Sequence, residues 1–124
     1  MENLFYLVFI ISTSGTRRQG ISAMIRSIPE AKIIYTVDDF RDVLRLIDIT
    51  RNLAPIIVID TRSVNGEIQT ALQLLKIKAP QSRCILLVEQ PKDQDAFQNT
   101  GADAVLLEGF SDKQFRAASH GYLN

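Results

Sequence analysis

The chain has 124 residues, 46% of them hydrophobic and 23% charged, the make-up of one soluble globular domain with a core that needs no staples. Lysine plus arginine equals aspartate plus glutamate at 14 each, so the net charge gives no sign of a nucleic-acid or anionic-membrane partner. One cysteine, Cys84, and one histidine, His120, argue against both a Cys/His metal cluster and a Cys–His nucleophile pair.

The first apolar run is "LFYLVFII", Leu4–Ile11. It is far too short to span a membrane. It also lacks the basic flank and small-residue cleavage site of a signal peptide, so a cytoplasmic protein is expected. "STSGT" at Ser12–Thr16 follows. Hydroxyls and a glycine there read as a capped helix start, or as a loop that favours an anion. Ile21, Met24, Ile25 and Ile28 then share one helical face, and Pro29 stops that helix. Arg17 and Arg18 read as a solvated surface pair. A strand over Lys32–Thr36 comes next, then a helix with Phe40, Val43, Leu44 and Ile47 on its apolar face.

"PIIVIDTRS" predicts a third strand, Ile56–Asp60, ending in an acid. Ile68, Ala71, Leu72 and Leu75 mark the third helix, stopped by Pro80. Cys84–Val88 reads as the fourth strand, with Cys84 packed in the core. A short, weak helix is expected near Asp93–Thr100, then a fifth strand over Ala104–Leu107. "SDKQ", Ser111–Gln114, fits a capping box for the last helix, and His120 reads as an exposed tail residue. The apolar runs are continuous rather than alternating, as in parallel strands buried on both faces. The alternation predicts a (βα)5 doubly wound parallel sheet in a flavodoxin-like three-layer sandwich, one domain over residues 1–124. Sites in such sheets form at the carboxyl ends of the strands, here Ser12, Thr13, Asp60, Glu89 and Glu108.

Three stretches in this order, "SGTRRQGISAMIRSIPEAKII", "PIIVIDTRS" and "GADAVLLEGF", make nearly the whole chain resemble the receiver domain of two-component response regulators. The resemblance implies that Asp60 stands at the phospho-acceptor position. In the family two acids after the first strand join that aspartate in holding Mg²⁺, and a Thr or Ser and a Lys bind the phosphoryl group. Here Ser12 and Thr13 fall on the acid pair, Glu89 on the Thr/Ser and Glu108 on the Lys. Val105 replaces the strand-five aromatic, and Glu108-Gly109 replaces a Lys-Pro pair. Neutral hydroxyls make poor Mg²⁺ ligands, and two glutamates would repel a phosphoryl group of about −1.5 to −2 charge.

Asp60 is therefore expected to be structural, held by loop N–H groups or by Arg17, Arg18 or Arg62. A sharper alternative gathers Asp60, Glu89 and Glu108 into a new cation site; otherwise the two glutamates are solvated rim residues. The reading is a degenerate receiver, a pseudo-receiver for signal transduction and not an enzyme. It needs no cofactor and binds a protein partner or itself as a homodimer, through the first and fifth helices. No membrane contact and no direct nucleic-acid binding are expected. The motifs most resemble receivers that precede a DNA-binding domain, which implies a transcriptional setting. Two alternatives stand: a working phospho-receiver with Asp60 as acceptor, and a flavodoxin-like small-ligand binder using Ser12–Thr16.

Overall fold

The protein is described by a computed structural model covering residues 6–13, 15–48, 54–64 and 66–120. Its elements are β1 (Tyr6–Ile11), α1 (Gly15–Arg26), β2 (Ala31–Val37), α2 (Phe40–Ile47), β3 (Ile56–Asp60), α3 (Ile68–Lys78), β4 (Arg83–Val88), α4 (Pro91–Phe97), β5 (Ala104–Leu107) and α5 (Asp112–His120). The strands form one parallel sheet in the order β2-β1-β3-β4-β5. This is the (βα)5 doubly wound sandwich the alternation predicts. The first two residues of the expected Leu4–Ile11 strand and the side chain of His120 lie outside the described residues.

The sheet separates two apolar layers. Phe9, Ile11, Ile57, Ile59 and Leu86 face α2 and α3, where Phe40, Val43, Leu72 and Leu75 meet them. Val8, Ile10, Val58 and Ile85 face α1 and α5, against Ile21, Ile25 and Phe115. Successive strand residues point to opposite faces, so a continuous apolar run supplies both layers at once. β1 and β3 are buried along their whole length, and β4 from Cys84 onward. The expectation of burial on both faces fails for β2 and β5, which are the sheet edges and are half-exposed. Apolar content shows that a strand faces a core, not whether it has a neighbour on each side.

Helix boundaries follow local chemistry. α1 ends at Arg26, and Ile28 folds back into the core, 1% exposed, ahead of Pro29. Asp39 caps α2 by accepting from the Arg41 N–H at 2.9 Å. Ser111 and Gln114 form the reciprocal box at α5: the Ser111 N–H donates to Gln114 Oε1 at 2.8 Å, and the Gln114 N–H to Ser111 Oγ at 3.1 Å. α4 is short, but it begins at Pro91 rather than near Asp93, because proline suits the first helical turn. Among the described residues no helix is long and apolar enough to cross a membrane.

Candidate functional site

β1 and β3 are neighbours in register, Ile11 beside Ile59, so Ser12 and Asp60 leave the sheet side by side at its carboxyl end. Both are buried, at 0% and 1% exposure. Asp60 opens a 3-10 turn over Thr61–Ser63, and its Oδ1 accepts from the Arg62 N–H at 3.2 Å. Thr61 ties the turn to β4, its hydroxyl donating to the Leu87 carbonyl at 2.9 Å. Asp60 Oδ2 accepts from Arg17 Nη1 at 2.8 Å, Ser12 Oγ at 3.1 Å and Ser63 Oγ at 3.4 Å. A carboxylate offers about four lone-pair sites. Four donors reach this one, three of them converging on Oδ2.

The second hub is Arg62. Its Nη1 lies 2.8 Å from Glu89 Oε2, its Nη2 contacts Glu108, and its Nε lies 3.9 Å from Asp60 Oδ1. Arg17 Nε lies 3.5 Å from Glu108 Oε2. Three carboxylates thus share two guanidiniums, which tie together the loops after β3, β4 and β5. The hydrogen bond to Asp60 holds the Arg17 guanidinium above its ordinary pKa, helped by the charges of Asp60, Glu108 and Glu89.

Several expectations change here. Arg17 and Arg18 are not a solvated pair: Arg17 sits on Asp60, and Arg18 Nε donates to the Ser12 carbonyl at 2.7 Å while its Nη2 reaches Asp38. Glu89 and Glu108 stand exposed at the rim, and both pair with Arg62. Thr13 reaches the site only through Ser63, to which its N–H donates at 2.9 Å. That N–H is one an anion in the Ser12–Thr16 loop would need. A cavity of about 350 Å³ borders the site, lined by Arg17 and Glu108 on one side and by Ile21, Met24, Leu87 and Phe110 on the other, not by that loop. Among the described residues no three His, Cys, Asp or Glu side chains gather as a metal ligand set. Sequence reasoning missed Arg62 as a hub and Ser63 as a bridge. The signal available was the Asp-Thr-Arg-Ser spacing after β3, where an Asx turn brings residues two and three positions on back to the carboxylate.

No family model matches the sequence, and no curated protein matches it. Solved structures do match the fold. A protein from Burkholderia pseudomallei provisionally assigned to pilus assembly superposes with a TM-score of 0.75 at 15% identity, over 99% of this chain and 98% of its own. A second such protein, from Burkholderia thailandensis, gives 0.72 at 13% identity, over 94% of this chain and 99% of its own. A response regulator receiver protein from Burkholderia phymatum gives 0.69 at 18% identity, over 95% of this chain and 97% of its own. The chain has the receiver fold.

The resemblance noted in the sequence assigns the acceptor position to the end of β3, where Asp60 lies. The positions that resemblance assigns to metal-binding acids, Ser12 and Thr13, here carry hydroxyls turned toward Asp60 and Ser63. The position it assigns to lysine, Glu108, lies against Arg62 and Arg17. The carboxyl end of the sheet is filled by the chain's own arginines, Arg17 on the Asp60 carboxylate and Arg62 across its rim.

Proposed function

We propose that this chain is a degenerate receiver domain, a regulatory module that engages a protein partner or a second copy of itself without a phosphorylation cycle. The observation that carries this reading is the Arg17 guanidinium on Asp60 Oδ2, at 2.8 Å. A receiver aspartate must present a free oxygen in line with the phosphorus while a divalent cation neutralises the phosphoryl oxygens. Here a fixed organic cation stands against that carboxylate, and hydroxyls replace the acids that would hold a metal. Glu89 and Glu108 add negative charge where an anion would arrive.

Arg62 joins the loops after β3, β4 and β5 through ion pairs. These loops sit at the end of the sheet where a phosphoryl group would otherwise act. Their linkage through Arg62, with no phosphoryl group needed, supports a module whose surfaces are available to a partner without a modification. Among the described residues no nucleophile–base pair supports an enzymatic reading, and the module is read as non-catalytic. Two settings suit it. The sequence motifs favour a transcriptional regulator, and the pilus-assembly assignments of two structural neighbours favour an assembly apparatus.

The test is incubation with acetyl phosphate and Mg²⁺, followed by intact mass measurement. The expected result is no phosphoryl adduct. An adduct present in the wild type and lost in Asp60→Asn would establish the working phospho-receiver instead.

A further inference from the structure

The two edges of the sheet are not alike. β5 is four residues long, and Gln94 Nε2 of α4 donates to its Val105 carbonyl at 3.2 Å. β2 is seven residues long and lies at the other edge. Four large hydrophobic side chains stand exposed among the described residues, and two of them are on β2: Ile33 at 46% and Tyr35 at 41%. They sit two positions apart, opposite Leu7 and Phe9 of β1, and so share one face. Neither α1 nor α5 carries an exposed large hydrophobic among the described residues. A long apolar edge strand is a template for another strand.

The backbone sets which groups meet a newcomer. The Val37 carbonyl accepts from the Ser12 N–H at 3.0 Å, so Val37 turns toward β1. Alternation turns Tyr35 and Ile33 the same way and turns Ile34 and Thr36 to the open edge. The register slips between Tyr6 and Leu7, which pair with Ala31 and Ile33, so Lys32 is an extra residue at a bulge. Regular pairing is thereby confined to Ile33–Val37, with Lys32 at one end and Asp38 at the other.

We propose that two copies of this chain pair antiparallel through β2, on a two-fold axis at Tyr35, merging their sheets. In that register Tyr35 faces Tyr35 of the second copy, Ile33 faces Val37, Ile34 faces Thr36, and Lys32 flanks Asp38, which Arg18 of its own chain also holds. Every opposed pair is apolar, neutral or oppositely charged, and each charged pair occurs twice by symmetry. Side chains in non-hydrogen-bonded pairs lie closest, and Tyr35 and Ile33 occupy such positions. Moving the axis to Ile34 would set Asp38 against Glu30 and Lys32 against Thr36, losing both ion pairs and adding like-charge contacts. The charges therefore select the register, and the occupant that fits it is a second copy. This names a partner for the interaction module and rests on that reading only in expecting one.

The test is sedimentation equilibrium of the intact chain from low micromolar to near-millimolar concentration, with circular dichroism to confirm folding of each variant. The wild type is expected to form a concentration-dependent dimer. Thr36→Pro removes an N–H that faces the open edge, so it leaves the β1 ladder intact and abolishes the dimer. Lys32→Glu and Asp38→Lys each set like charges together and weaken self-association, each by about tenfold. Mixing these two variants rebuilds both ion pairs in a heterodimer, which should return to within about threefold of wild-type affinity. A wild type that stays monomeric throughout overturns the proposal. So does a folded Thr36→Pro that dimerises like the wild type, or a mixture no tighter than its components. None of these outcomes alters the acetyl phosphate result, so the two readings fail separately.

Discussion

Asp60 is 1% exposed, and a buried carboxylate is tolerated only when donors replace its hydration. Arg17, Ser12, the Arg62 N–H and Ser63 supply them. Asp60→Leu should strand these donors and cost on the order of 1–3 kcal/mol in a denaturant melt. Asp60→Asn keeps the shape and an acceptor oxygen, so it should cost clearly less. Arg17→Met should cost more than Asp60→Asn, because it leaves the buried carboxylate without its cation. Negligible costs for both the leucine and asparagine variants would remove the structural role from Asp60. Cys84 offers a second check at this scale. Burial raises its thiol pKa above the ordinary 9.0. A raised value favours the folded state fully below about 9 and loses that contribution as pH rises through the folded pKa. The native thiol should therefore resist alkylation at pH 9, where the unfolded chain reacts readily.

The elements were readable where local chemistry decides them. The ranges of β3 and β5, the apolar faces of α1 to α3 and the Ser111–Gln114 box all follow from periodicity and capping. Ser111→Ala should cost about 1 kcal/mol by leaving the Gln114 N–H uncapped, measured as a shifted denaturant midpoint at unchanged slope. Edge status was not readable, because it depends on strand order: β2 has the composition of an inner strand and lacks an outer neighbour. Gly109 shows another limit. It adopts φ +84°, so the loop after β5 takes a path closed to proline, whose φ is fixed near −65°. Gly109→Ala should destabilise by roughly 1–2 kcal/mol, since a side chain is strained there even with open space around it. Gly109→Pro should disrupt the loop and move Glu108 away from Arg62.

At the scale of the molecule, the sheet's topology brings residues 12, 17, 60, 62, 89 and 108 to one end. The sequence showed which strand ends would converge, and its resemblance to receivers sets hydroxyls at Ser12 and Thr13 and a carboxylate at Glu108 around Asp60. It did not show what fills the place, because guanidinium reach is a tertiary property: Arg17 lies 43 positions from the carboxylate it binds. The filled site changes what repair requires. Ser12→Asp, Thr13→Asp and Glu108→Lys together restore the missing groups but leave Arg17 on Asp60, so they should bind Mg²⁺ weakly. Adding Arg17→Ala should strengthen that binding, read as a larger Mg²⁺-dependent rise in melting temperature. Thermal unfolding of the wild-type chain with Mg²⁺ and beryllofluoride, a mimic of the phosphoryl group, tests the central claim most directly. A ligand held only by the folded state at 100 times its dissociation constant adds about 2.7 kcal/mol, a plain shift for a chain of this size. The arginine-filled site predicts an unchanged melting temperature. A Mg²⁺-dependent increase that disappears in Asp60→Asn would contradict it.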